Sequence, residues 1–374
     1  MMTEKYDGKK RYAVLRETIR ALWRRCFLPL STMSLPLCLV SYKKHHIFTA
    51  LLVAAIAIPF LVIGDSLLRP LARHIDKPFT LVIEAGDTPA SVARRMQRNH
   101  IPINASAFLY TLRITGDHDD LKVGTYHIDP QQSLLEAIDR MVQGRSVLLR
   151  LTIPEGYSLA QAIDIINNTQ NLRGHVPSNL WEGALFPDTY LYRHGEQRAT
   201  LIRRMRDKAD ETLQKIWQTR DNDLPIETAY DMLILASIVE KETGQASERA
   251  RIAAVFHNRL RRGMRLESDP TVIYGITGGT PLGRPLFYSD LRRHSAWNTY
   301  RIKGLPPSPI CLPGADALQA VAHPITSNEL FFVANGTGGH TFAENYEDHQ
   351  KNVEQWRAWQ RQHQNKKKDG EEER

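Results

Sequence analysis

At 374 residues the chain has room for about two domains, and a composition of 42% apolar and 24% charged residues excludes a wholly disordered protein. The formal net charge of +8 is no argument for nucleic-acid binding, because residues 1–46 hold ten Lys/Arg against three Asp/Glu and so carry +7 of it. Three cysteines, Cys26, Cys38 and Cys311, are too few for a disulfide framework, and neither they nor the fourteen histidines fall in a metal-ligand spacing, so no metal or other cofactor is expected.

After the basic segment 1–46, residues 47–64 (IFTALLVAAIAIPFLVIG) run eighteen residues without a charge, close to the roughly 20 that cross a bilayer core as a helix. Lys43 and Lys44 stand just before it, so the positive-inside bias keeps the N-terminus in the cytoplasm and exports the long C-terminal part. The competing reading is a cleaved signal peptide, against which the run is long and no small-residue cleavage site comes after it. An earlier apolar stretch, 26–40, is interrupted by Pro29 and Pro36 and reads as interfacial or unstructured rather than spanning. Met33 is an alternative start.

Residues 65–79 read as a linker. Residues 80–146 read as a small α/β module: a strand at Thr80–Glu84, a turn Ala85-Gly86-Asp87-Thr88, a helix through Val92, Ala93 and Met96 capped by Asp87 or Thr88, helices near 105–115 and 132–143, and a strand at Val123–Tyr126. The strand, the Gly-Asp-Thr turn and the helix after it resemble a LysM module, a small fold that binds N-acetylglucosamine-containing glycans. The same residues also describe an ordinary turn and cap, and connector and glycan binder stay open.

Residues 147–362 read as a larger mixed α/β unit, making the whole an α+β chain. Its elements are a strand at Val147–Ile153 broken by Pro154-Glu155-Gly156, a helix through Leu159, Ile163 and Ile166, a charged helix near 197–218, and a helical pair at 228–262. Turns, short strands and a proline-rich loop (GLPPSPICLPG, 304–314) come next, then a helix near 315–323, a strand at Leu330–Ala334 and a helix near 347–362. The charge blocks of 363–374 read as a disordered tail.

Met232–Val239 (MLILASIV) is apolar around the whole helix and so predicts burial on nearly all sides, with Glu240 at its end. A carboxyl against apolar surface suits a proton donor in glycosidic cleavage; equally, a carboxylate often just opens the polar end of a helix, paired with a nearby arginine. Glu242, two residues on, points elsewhere. The next helix has a core stripe of Ile252, Val255, Phe256 and Leu260, with Ser247 as N-cap and Gly263 as terminator, and its Arg249, Arg251, Arg259, Arg261 and Arg262 are expected on the solvated face.

The run LASIVEKETGQASERARIAAVFHNRLRRGMRLESDPTVIYGI (235–276) resembles the signature of the YceG-like family of endolytic murein transglycosylases. LTIPEGYSL (151–159), EGALFPDTYLY (182–192), NTYRIKGLPPSPICLPG (298–314) and VAHPITSNELFFVANGTGGHTF (321–342) fit the same family, in the same order. The resemblance implies a single-pass inner-membrane lyase whose periplasmic domain cleaves MurNAc–GlcNAc β-1,4 bonds within nascent peptidoglycan strands and leaves 1,6-anhydro-MurNAc ends, so terminating elongation. It puts the catalytic glutamate at Glu240 and implies peptidoglycan synthases as partners. Trp297 stands where the family commonly has Tyr and Ser308 where Gly is usual, which bears on sugar sub-sites rather than on the acid.

One glutamate can protonate the glycosidic oxygen and then take the proton of the C6 hydroxyl, since the nucleophile belongs to the substrate. Asp269 is the candidate supporting carboxylate, or else a turn cap before Pro270. Tyr274, Asn298 and Tyr300 are candidates for sugar contacts, though a packed tyrosine with a satisfied hydroxyl is commoner. His340 and Phe342, after the turn Gly336–Gly339, are candidates for the rim of the groove. A muramidase that uses water and a non-catalytic glycan-binding scaffold are the alternatives.

Overall fold

The computed structural model describes Ala55 and residues 78–372 apart from 100 and 102. The basic segment 1–46, the stretch 26–40 and, Ala55 aside, the run 47–64 lie outside the described residues. Among those described, no helix is long and apolar enough to cross a membrane. The chain divides into two compact units, Met1–Leu149 with Arg193–Gly195, and Arg150–Tyr192 with Glu196–Arg374.

In the first unit, β1 (Phe79–Ile83) pairs antiparallel with β2 (Gly124–Ile128), Leu81 opposite Tyr126 and Ile83 opposite Gly124. Alternation turns Leu81 and Ile83, and across the pair Tyr126 and Ile128, into one core. Between the strands come α1 (Pro89–Arg98) and α2 (Ala105–Thr115), and after them α3 (Leu134–Val142). Each helix starts on a side-chain cap: Thr88 with Ser91, Asn104 on the amides of Ser106 and Ala107, and Ser133 with Glu136. Met96, Phe108, Leu112, Ile138 and Met141 are fully buried against the strands. The sheet edge is tied to α1 through Asp87, whose carboxylate accepts from Glu84 N–H at 2.8 Å, Ser91 Oγ at 2.8 Å and Arg95 at 2.6 and 3.0 Å. Expectation and structure agree here to within a few residues, because these elements are specified by local caps and short-period patterns.

The second unit has three small sheets: β3 (Leu149–Thr152) with β5 (Thr189–Tyr192), β4 (Leu172–Arg173) parallel to β6 (Glu196–Gln197), and the hairpin of β7 (Phe331–Ala334) and β8 (His340–Ala343). Its helices are α4 (Leu159–Asn168), α5 (Arg198–Thr219), α6 (Ala229–Glu242), α7 (Arg249–Arg261), α8 (Asp269–Thr277), α9 (Tyr288–Leu291), α10 (Ala315–Ala322) and α11 (Tyr346–Glu372). α6 is the axis. Met232 through Val239 are all buried, and α5, α7, α8 and α10 pack around it, which is how a helix apolar on every face is accommodated.

Several expectations are corrected. Ser247 is not the cap of α7; a 3₁₀ turn, Ala246–Glu248, precedes it and Glu248 holds the cap position. α8 and α9 arise where only turns and short strands were expected, and β8 falls where no element was placed. Arg249 and Arg259 are buried rather than solvated, with side chains 11% and 8% exposed. Arg259 is drawn inward because its guanidinium donates to the carbonyls of Leu330 and Leu266, at 2.7 and 2.8 Å. α11 runs to Glu372, well into the tail expected to be disordered, as befits a stretch rich in the good helix formers Lys, Gln and Glu.

Burial works against ionisation of Asp87, but Arg95, the Glu84 amide and Ser91 outweigh it and hold the carboxyl below its ordinary 3.8. A lowered folded value stabilises above the unfolded one and is lost as pH falls through the folded value. Asp87→Asn is therefore expected to cost the first unit about 1–3 kcal/mol near neutral pH, with the deficit shrinking below about pH 4. Urea unfolding of both proteins at the two pH values checks this.

Candidate active site

α6 begins on a capping box, Thr228 with Asp231, and ends at the extended Thr243. Glu240 sits in its last turn with a side chain only 6% exposed. What surrounds it is set by Ser237, one turn earlier and fully buried. The Ser237 hydroxyl donates to Ile234 O at 2.7 Å and accepts from Ile310 N–H at 3.0 Å. The Cys311 thiol donates to Ser237 O at 3.2 Å. These bonds lay the proline-rich loop along α6, and burial pushes that thiol well above its ordinary range. The loop is also tied to the segment after β3: Gly156 N–H donates to Leu312 O at 2.9 Å and Leu312 N–H to Tyr157 O at 2.7 Å.

At the end of this seam Gly314 N–H donates to Glu240 Oε2 at 3.1 Å. The other oxygen, Oε1, lies 3.6 Å from the Arg249 guanidinium, which also reaches Asp316 at 3.1 Å. Glu240 is thus not a carboxyl among apolar atoms alone: one turn of α6 is apolar and the next delivers the carboxyl to two donors. Glu155 also comes up against Gly314. A Cβ on Gly314 would fall 1.9 Å from Glu155 Oε1, so only glycine leaves both carboxyls in place. Gly156, at φ +73°, turns the chain here in a conformation that favours glycine, and its carbonyl accepts from Lys241 Nζ at 3.2 Å. Partial burial and then the neighbouring Glu240 push the Glu155 carboxyl above its ordinary value.

The other expected residues fall in four places. Asp269 accepts from Tyr300 OH at 2.7 Å, and its charge bears on the Glu242 carboxyl. Glu242 accepts from Ser268 Oγ beside the buried pair Thr271 and Thr299, and burial pushes it up to about 7. Tyr274 donates to Glu182 Oε2 at 3.2 Å, and Glu182 Oε1 accepts from Leu159 N–H at 2.8 Å; burial pushes Glu182 up to about 7 as well. The rings of Tyr274 and Trp297 lie 5.8 Å apart, and Trp297 Nε1–H donates to Ser308 Oγ at 2.9 Å, so the two positions that depart from the family pattern contact each other.

Asn298 is buried and its amide donates to Leu291 O and Arg293 O at 3.0 and 2.7 Å, which occupies it in shaping the 291–300 loop. His340 pairs through Nδ1 with Glu248 Oε2 at 2.7 Å, and its own amide donates to Glu248 Oε1 at 2.8 Å. Phe342 packs on Phe332 under the Arg251 guanidinium, 4.1 Å from the ring centroid. The structure therefore brings the β7–β8 hairpin to the segment after Glu240, but no expected residue other than Glu240 lies in the Glu155–Gly314–Arg249 cluster. Sequence reasoning missed Glu155, Glu182 and Arg249. The signal for Glu155 was a carboxylate on a glycine turn inside a family segment; Arg249 had none. Among the described residues no group of three or more His, Cys, Asp or Glu is arranged to hold a metal ion.

The description of the YceG-like family matches residues 81–355, most of the chain and both described units, and the chain belongs to that family. It is similar to the endolytic murein transglycosylase of Bacillus subtilis strain 168, 26% identical over 324 residues that cover 78% of this chain and 89% of the relative. It is 28% identical over 359 residues to the endolytic murein transglycosylase of Streptococcus pneumoniae strain D39, covering 82% of this chain and 63% of that longer protein. The crystal structure of a YceG-like protein from Listeria monocytogenes is 28% identical and covers 74% of this chain and 99% of that one, with a TM-score of 0.46.

Two measurements test this geometry. Ser237→Ala leaves the Ile310 N–H buried and unpaired, an expected loss of about 1–3 kcal/mol that thermal unfolding reads directly. Glu242 has a raised folded value, so its stabilising effect is complete below the ordinary 4.5 and disappears as pH rises through about 7. Glu242→Gln should flatten the pH dependence of the second unit's unfolding between pH 4.5 and 7; a slope equal to wild type would refute the assignment.

Proposed function

We propose that the chain is an endolytic peptidoglycan lytic transglycosylase, a lyase that cleaves MurNAc–GlcNAc β-1,4 bonds in nascent glycan strands, leaves 1,6-anhydro-MurNAc ends and so terminates elongation. The observation that carries this reading is Glu240: the resemblance puts the family's catalytic glutamate there, and that carboxyl is desolvated, oriented by Gly314 and Arg249, and set at the end of a helix buried on all faces. Family membership and the two relatives described as endolytic murein transglycosylases support it. The chemistry needs a proton delivered to the departing glycosidic oxygen and a base for the C6 hydroxyl of the same MurNAc, which closes onto C1. Because the nucleophile is part of the substrate, no bound water is required.

The run 47–64 behind Lys43 and Lys44 supports a single-pass inner-membrane anchor with the enzyme on the periplasmic side, which is where nascent strands and the peptidoglycan synthases proposed as partners would be met. The first unit is read as a LysM-like glycan-binding module. The Gly-Asp-Thr turn supports this, as does the strand–helix–helix–strand order of β1, α1, α2 and β2 with its antiparallel pair. A groove of about 450 Å³ lined by Thr88, Pro89, Leu109, Tyr110, Arg113 and His118 offers it a surface.

Mass spectrometry of peptidoglycan digested by the full-length chain, beside Glu240→Gln, tests the proposal. Fragments lighter by one water, with 1,6-anhydro ends, should form with the wild type and disappear in the variant. Reducing ends would make the enzyme a muramidase, and no cleavage by a folded wild type would make it a scaffold.

A further inference from the structure

The transglycosylase reaction needs two proton transfers, and a single-glutamate mechanism gives both to Glu240, yet a second carboxyl stands beside it. Glu155 and Glu240 both come up against one glycine: Gly314 N–H is 3.1 Å from Glu240 Oε2, and the position a Cβ of Gly314 would take is 1.9 Å from Glu155 Oε1 and 2.7 Å from Oε2. Their settings differ. Glu240 is nearly sealed and faces two donors, a backbone N–H and the Arg249 guanidinium, which are partners for a carboxylate oxygen. Glu155 is exposed, and its carboxyl has no hydrogen-bond donor among the described residues. Two carboxyls on one site do not readily both ionise, and of these two Glu155 is the one without donors to hold its charge.

We infer that Glu155 is the second catalytic carboxyl of this site and the donor of the proton to the departing glycosidic oxygen, with Glu240 as the carboxylate that receives the proton of the C6 hydroxyl. The inference rests on the transglycosylase reading. The C1–O4 bond breaks with its electron pair going to O4, which takes the Glu155 proton. O6 attacks C1, the C1–O6 bond forms, and the O6 proton passes to Glu240. One proton has moved from Glu155 to Glu240, and solvent, to which Glu155 is open, restores the starting state. The charged groups that face Glu155 are Glu240, Arg249, Asp316 and Asp188, with Lys241 on the adjoining Gly156 carbonyl. Three of the first four are acidic, and with partial burial they raise the Glu155 carboxyl above its ordinary value, against the pull of Arg249, as a proton donor near neutral pH requires.

A leaving group that needs no proton separates the roles. Rates are measured for the full-length wild type, Glu155→Gln and Glu240→Gln on natural peptidoglycan glycan and on an aryl β-glycoside of a MurNAc-ended oligosaccharide, whose phenolate departs unprotonated. Glu155→Gln should lose about 10²–10⁴-fold on the natural strand and stay within a few-fold of wild type on the aryl substrate, whereas Glu240→Gln should fail on both. Gly314→Ala, which must displace Glu155 while leaving its own N–H in place, should show the same split as Glu155→Gln and serves if that variant does not fold. Wild-type rates for Glu155→Gln on the natural strand, or equal losses on both substrates, would overturn the inference. Reducing ends from the wild type would instead overturn the transglycosylase reading, with the Glu155 assignment still decided by the contrast between substrates.

Discussion

A single hydroxyl, that of Ser237, sets the register on which the site depends. Its one hydrogen is used within α6, on Ile234 O, which leaves an acceptor facing outward, and that acceptor takes the Ile310 amide. Both partners are buried, so a slip of the loop by one residue would strand a polar group at full desolvation cost. With Ile310 fixed, Cys311 reaches Ser237 O, Leu312 exchanges bonds with Gly156 and Tyr157, and Gly314 arrives at Glu240. The positions of both Glu240 and Glu155 thus depend on one buried bond between a helix and a loop more than seventy residues later.

Glu182, Glu240 and Glu242 of the second unit are withdrawn from water, and each is answered differently. Glu182 is met by a backbone amide and a tyrosine hydroxyl, and Glu242 by a serine hydroxyl; both are raised to about 7 by burial. Those neutral donors favour the charged form, but burial outweighs them in both groups, and the bonds tie elements together. Glu240 alone of the three is met by a guanidinium and shares its surroundings with a second carboxyl. Desolvation by itself does not distinguish these three; their partners do.

Local chemistry made much of the fold legible. Thr88 announces α1, the turn before Leu159 announces α4, and the all-round apolar run Met232–Val239 announces a helix that other helices must enclose. Non-local chemistry was silent. Arg249 and Arg259 occupy positions that alternate with solvated arginines on the same helix, and contacts their own pattern does not show, Glu240 and Asp316 for one and Leu266 and Leu330 for the other, draw them inward. Asp269 looked like the supporting carboxylate because it comes after Glu240 in a recognised segment, while Glu155 lies 85 residues before Glu240 and meets it only through the loop end at Gly314. Glu240 itself was singled out by resemblance: its pattern alone equally describes a carboxylate closing a helix. Trp297 and Ser308 read as separate departures from the family, and only their contact makes them a pair.

The composition of the loop explains how so much can hang on so few bonds. Pro306, Pro307, Pro309 and Pro313 supply no N–H and hold φ near −65°, which removes conformations the free chain would otherwise sample. Between Pro309 and Gly314 the amides of Ile310, Leu312 and Gly314 meet Ser237, Tyr157 and Glu240 in turn. Pro313 offers no competing donor next to the last of these, so the N–H presented at that point is the one of Gly314. Glycine there serves a different purpose, since a Cβ would displace the Glu155 carboxyl. Prolines limit where the loop can go, and the glycine at its end admits the two carboxyls that a side-chain-bearing residue would displace; orientation of this kind, set before substrate arrives, is what the proposed reaction, with its internal nucleophile, can use most directly.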